Sequence, residues 1–168
     1  EKYIASTITS VINQNIRPKI WYIIDDNSDD NTLPIIKELS VKWSFIRPMT
    51  HRTSKSRNFA SQVYAQRLGY SKLLKMDLDF IGMLDGDIVL PSEYYQTLIG
   101  RFKNIERLGI AGGWIYENVK GSFIPRKTNS QFSVPGGIQF FAKDCFLEIG
   151  GGYTPMEFGG MDWVAELR

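Results

Sequence analysis

The stretch Phe80-Ile81-Gly82-Met83-Leu84-Asp85-Gly86-Asp87, continuing through Ile88-Val89-Leu90 to Pro91, decides the fold. A short apolar run fits a buried strand, and Pro91 suits the first turn of a helix. Between them stand two carboxylates separated by one glycine. Bare carboxylates between buried segments repel each other unless a cation or hydrogen bonds compensate. Oxygen ligands at this spacing suit Mg²⁺ or Mn²⁺, which accept diphosphate oxygens and water for the rest of their shell. A solvated acidic turn is the plainer reading of the triplet by itself, and the flanking apolar segments weigh against it.

Working outward, the same arrangement recurs upstream. Lys19 to Ile24 is a β-prone run that ends in Asp25-Asp26-Asn27-Ser28-Asp29-Asp30. A calcium loop is excluded there, because Asp30 stands where glycine is needed and Ile36 where a bidentate Glu is needed. The segment reads in part as a turn and helix N-cap, with Asn31 or Thr32 satisfying the first amides. Asp25 and Asp26 are left to face a ligand. A carboxylate in that position can accept the imide N–H of uracil.

Helical spacing places Ile4, Ile8, Val11 and Ile12 on one face of Tyr3 to Gln14. Further helices are expected over Thr32–Ser40, Ser54–Leu68, from Pro91 through Phe102, over Asp144–Ile149 and from Asp162 to Arg168. Strands are expected at Trp43–Ile46, Phe80–Leu84, Leu108–Tyr116 and Gly137–Ala142. Asn118–Pro135 is the least regular segment, and Gly150–Gly160 reads as a glycine-rich loop. The alternation of strands and helices predicts an α/β fold, doubly wound on a mostly parallel sheet. Such sheets bind ligands at the carboxyl ends of their strands, where both acidic clusters fall.

The bulk properties narrow the function. The 168 residues suffice for one domain, with 43% hydrophobic and 23% charged residues, as in ordinary globular proteins. A net charge of +2 gives no electrostatic case for nucleic acid. Cys145 is the single cysteine and His51 the single histidine, which excludes an intrachain disulfide, a cysteine metal cluster and a multi-histidine zinc site. The lone cysteine leads to the expectation of a reducing, cytoplasmic setting, at the cytoplasmic face of a membrane in a longer protein, and no apolar run reaches the roughly 20 residues of a span. The chain does not start with Met and opens and closes inside helical patterns. That pattern reads as a fragment of a longer protein.

Two further clusters carry charge. His51 to Asn58 is basic and polar and leads into a helix, where Arg57 can hold a phosphate or neutralise the acidic clusters. Glu157-Phe-Gly-Gly-Met-Asp162-Trp163 offers a carboxylate at a helix start after a flexible loop, which serves as a general base or as a cap.

Taken in order, these segments resemble the family 2 glycosyltransferases, which have the GT-A fold. Ala5 to Gln14 looks like that family's first helix, and Trp21 to Thr32 is similar to its nucleotide-binding strand and loop. Ser56-Arg-Asn-Phe-Ala60 is similar to its ARNxA-like helix entry. Phe80 to Asp87 looks like its DxD segment, and Gly159-Gly-Met-Asp-Trp163 sits where the family carries its acidic base motif. Two departures stand out. The family's first strand is absent before Glu1, and the base motif reads Met-Asp where the family has Glu-Asp.

The resemblance implies a Rossmann-like sheet truncated at both ends, with residues 1–90 as the nucleotide-sugar half and 91–168 as the acceptor-side half. It implies that Asp26 contacts uracil, that Arg57 lies near the base or diphosphate, and that Asp85 approaches the sugar or ribose. Asp87 becomes the principal ligand of Mg²⁺ or Mn²⁺, with Asp85 beside it. Asp162 becomes the base that deprotonates the acceptor hydroxyl, with Glu157 as the second candidate. The implied partners are a nucleotide-sugar donor, most simply a UDP-sugar, and a glycan, lipid-linked or other hydroxyl acceptor. A nucleotidyltransferase on a similar sheet and a non-catalytic sugar- or calcium-binding module are the rival readings.

Overall fold

The computed structural model describes residues 1–52, 59–156 and 159–167. Helix α1 (Ile4–Ile12) leads into strand β1 (Trp21–Asp26), helix α2 (Thr32–Lys42) and strand β2 (Ile46–His51). β1 and β2 pair in parallel, with Trp21 opposite Ile46 and Asp26 opposite His51. The apolar spacing of α1 does what the pattern predicts: Ile4, Ile8 and Ile12 bury against Ile23, Ile36 and Ile46. β2 lies later than the expected Trp43–Ile46, because Trp43 ends α2 and the extended run begins at Ile46. Pro48 is tolerated within it, since among the described residues β2 pairs only with β1 and so forms an edge.

Helix α3 (Phe59–Leu73) runs five residues past its expected end. Gly69 is used for close packing: a Cβ there would sit 3.3 Å from Ile24 Cδ1 and 3.5 Å from Tyr22 Cβ. Strand β3 (Phe80–Gly82) follows, then helix α4 (Tyr94–Asn104) and the two-residue strand β4 (Ile110–Ala111). The expected strand Leu108–Tyr116 is cut to those two residues, with Gly112-Gly113 following directly. Strands β5 (Tyr116–Val119) and β6 (Ser122–Pro125) form an exposed hairpin within the segment expected to be irregular. Its turn uses Lys120 at φ 51° and Gly121 at φ 87°, the two left-handed residues of a tight hairpin.

A 3₁₀ turn at Gly136–Ile138 replaces the first half of the expected Gly137–Ala142 strand, leaving strand β7 (Phe140–Ala142). β7 runs antiparallel between β3 and β4, so among the described residues parallel pairing is confined to β1 and β2. Helices α5 (Lys143–Glu148) and α6 (Met161–Glu166) close the chain. Their residues join Val63, Tyr70, Ile81 and Phe141 in a second core. Val11, Leu90 and Ile138 connect the two halves.

Between β1 and β3 lies a cavity of about 1210 Å³, lined by every residue from Trp21 to Asp26 and by every residue from Phe80 to Gly86. Side chains of a strand alternate between faces, so a wall made of successive residues is a strand edge. The cavity is therefore a slot between two sheet edges that face each other without pairing among the described residues. No helix among the described residues is long and apolar enough to cross a membrane.

Candidate donor and acceptor site

The carboxylates gather at one end of this slot. Asp25, Asp26, Asp85 and Gly86 all line it. Asp25 is buried, and its Oδ1 has no hydrogen-bond partner. Asp26 Oδ1 lies 2.7 Å from His51 Nδ1, across the β1–β2 register. Asn27 takes the next position at φ 59°, a left-handed conformation that asparagine accepts more readily than most residues, and this turns the chain away after Asp26.

The Asp85-Gly86-Asp87 turn is fixed by its backbone. The Asp85 N–H donates to Gly137 O at 2.9 Å, and the Thr7 hydroxyl donates to Gly86 O at 3.0 Å. Gln62 Nε2 donates to Asp85 Oδ1 at 3.3 Å. Burial pushes the Asp85 carboxyl up from its ordinary value, the charges of Asp87 and Asp162 push it the same way, and Arg126 opposes them. Asp87, two residues on, is exposed.

Asp162, in the first turn of α6, completes the group. Gly160 precedes it at φ 83°, where a residue with a Cβ would be strained. The Gly136 N–H donates to Asp162 Oδ2 at 3.2 Å. A Cβ on Gly136 would come within 2.8 Å of Asp162 Oδ2, and one on Gly137 within 2.6 Å of Asp85 Oδ2. Two adjacent glycines thus sit against the two carboxylates and let them approach each other.

Of the expected site residues, Asp26 and Asp85 share the slot's mouth, and Asp87 and Asp162 act electrostatically on Asp85. Arg57 and Glu157 lie outside the described residues. Sequence reasoning missed Gly136-Gly137, Gln62, Thr7 and Arg126. The Pro135-Gly136-Gly137 tripeptide was the one legible signal among them, a turn mark next to an apolar strand.

Among the described residues no three His, Cys, Asp or Glu side chains gather to hold a metal ion. Asp85 and Asp87 offer two carboxylates on one turn, and their mutual repulsion is of the kind a divalent cation relieves. That donor set fits Mg²⁺ or Mn²⁺ shared with ligand oxygens and water, and not a cation enclosed by protein alone.

No curated protein sequence matches the chain. Solved structures do. "Crystal structure of S. aureus TarS 1-349 in complex with UDP" matches at TM-score 0.71 and 14% identity, over 99% of this chain and 50% of that one. "Mannosyltransferase PcManGT from Pyrobaculum calidifontis in complex with GDP-Man and Mn2+" matches at TM-score 0.66 and 13% identity, over 96% of this chain and 46% of that one. A 4-diphosphocytidyl-2C-methyl-D-erythritol synthase matches at TM-score 0.56 and 14% identity, over 98% and 75%. The chain spans about half the length of the first two. At these identities the likeness is one of fold, here GT-A. The family model for glycosyl transferase family 2 matches residues 1–155, and the chain belongs to that family.

Proposed function

We propose that the chain is the donor-binding and catalytic core of an inverting, metal-dependent glycosyltransferase that moves a sugar from a UDP-sugar to a hydroxyl acceptor. The observation that carries this reading is the convergence of Asp85 and Asp162 on Gly136-Gly137, with the charge of Asp87 acting on Asp85. Two neighbours were solved with UDP or with GDP-Man and Mn²⁺, which supports a nucleotide-sugar donor and a divalent cation.

Asp26, at the end of β1, accepts the uracil imide N–H, and Arg57 approaches the base or diphosphate. Asp85 orients the sugar or ribose. Asp87, with Asp85, would hold Mg²⁺ or Mn²⁺, which when bound neutralises charge on the departing diphosphate. Asp162 takes the proton of the acceptor hydroxyl as it attacks the anomeric carbon in line, with Glu157 as the second candidate base. General base catalysis supplies about 10²–10⁴-fold, or roughly 3–5 kcal/mol. Acceptor contacts belong to the 91–168 half, in the Asn118–Pro135 segment and the Gly150–Gly160 loop, and to residues beyond Arg168. A glycan, a lipid-linked sugar or another hydroxyl compound presented in the cytoplasm suits this role.

The fold is shared with a 4-diphosphocytidyl-2C-methyl-D-erythritol synthase, and the product separates a glycosyltransferase from a nucleotidyltransferase. The full-length protein, given UDP-hexoses and Mn²⁺, is expected to release free uridine diphosphate, where a nucleotidyltransferase would form or consume pyrophosphate. Calorimetry is expected to show uridine diphosphate binding strengthened by Mn²⁺ and weakened by Asp87→Ala. Binding that ignores both the metal and the substitution contradicts the metal assignment.

A further inference from the structure

Asp162 and Glu166 lie four residues apart on α6, so they share one face of the helix. Both carboxylates grip the same neighbouring segment. Asp162 Oδ2 accepts the Gly136 N–H at 3.2 Å, and Glu166 Oε1 accepts the Val134 N–H at 2.6 Å. Pro135 stands between and has no N–H to offer. Helix α6 is thereby pinned at two alternate residues of the turn whose next glycine touches Asp85.

The Glu166 end of this clamp is the more heavily built. Gln139 is fully buried, and its Nε2 donates to Glu166 Oε1 at 3.2 Å and to Val134 O at 3.0 Å. The Tyr153 hydroxyl donates to Gln139 Oε1. Burial pushes the Tyr153 phenol well up, so it stays protonated and keeps that donor role. A buried polar chain from three parts of the fold thus ends on one carboxylate oxygen. Polar groups at such depth are costly unless satisfied, and here each satisfies the next.

We propose that Glu166 is a positioning residue for Asp162, holding α6 at the register that sets the Asp162 carboxylate beside Asp85. The proposal rests on the reading of Asp162 as the base. Without the Glu166 anchor, the described hydrogen bond from α6 to the turn is the 3.2 Å bond of Asp162 itself, so α6, still packed through Met161 and Ala165, can turn about that carboxylate. With the anchor, Oδ2 stays engaged by Gly136, and Oδ1 takes the acceptor proton. A misplacement near 1 Å can cost about 10²-fold in rate, so a loose α6 is felt in turnover.

The test uses the full-length protein, with uridine diphosphate release from UDP-hexoses to water as the probe reaction. Glu166→Ala is expected to lower kcat by about 10–100-fold while uridine diphosphate–Mn²⁺ affinity stays within about twofold. Glu166→Gln keeps an oxygen acceptor for both donors and is expected to recover most of kcat. On an Asp162→Asn background, Glu166→Ala is expected to add little. An unchanged kcat in Glu166→Ala, or a failure of Glu166→Gln to recover it, overturns the proposal. If Glu166→Ala does not fold, Glu166→Asp, one methylene short, carries the same kcat test. Full activity in Asp162→Asn alone would instead remove the base reading, a different failure from that of the clamp.

Discussion

At the end of β1, Asp26 is held near His51 and Asp25 keeps a buried oxygen without a partner. At the end of β3, Asp85 is tied through its backbone to Gly137, its neighbour Gly86 is tied to Thr7, and Asp162 closes in from α6. Both regions border the slot with one strand edge unpaired among the described residues, β1 pairing with β2 over one core and β3 with β7 over another. Both ends carry paired acidic residues in the sequence, and at the second the turn is held by Thr7 of α1 and by Gly137, whose neighbour Gly136 binds Asp162. Acidic residues at a strand end mark where a site lies. The backbone bonds behind them decide whether it is preorganised.

The largest expected effect on this contrast comes from filling the slot. A six-residue β-prone segment joined ahead of Glu1 has the length to lie along Trp21–Asp26. Ladder bonds to both edges together with burial of the segment's apolar side chains in the slot are expected to exceed its ordering cost and raise the melting temperature by on the order of 5–15 °C. An unchanged melting temperature would mean that the two edges are not complementary to a strand. A smaller effect is expected at the β1 end. Asp26→Ala should weaken uridine diphosphate binding by about tenfold, and His51→Ala by only a few-fold, because the ring orients the carboxylate and does not itself bind. Titration calorimetry ranks the two, and equal losses would show that His51 contacts the nucleotide.

The helices with clean spacing and both acidic strand ends were legible in the sequence, since burial follows periodicity and ligands follow strand ends. The hairpin Tyr116–Pro125 was not, because all eight of its strand residues are exposed and no apolar face marks it. The antiparallel placement of β7 was not legible either. Pairing of Ile81 with Phe141 is a contact between distant segments that local pattern does not encode. Within the site, Asp85, Asp87 and Asp162 stood out as charges, while Gly136 and Gly137 act by what they lack. Glu166 was written into the helix four residues after Asp162, but its partner Val134 N–H is a backbone group that no residue type announces.

The central claim is that Asp162 serves the acceptor while the Asp85-Gly86-Asp87 turn serves the donor. Steady-state turnover and uridine diphosphate–Mn²⁺ affinity, measured together on Asp162→Asn in the full-length protein, test it most directly. The account predicts a fall in turnover of about 10²-fold or more with donor affinity nearly unchanged. Activity that survives in Asp162→Asn and is lost in Glu157→Gln would contradict it and place the base at Glu157.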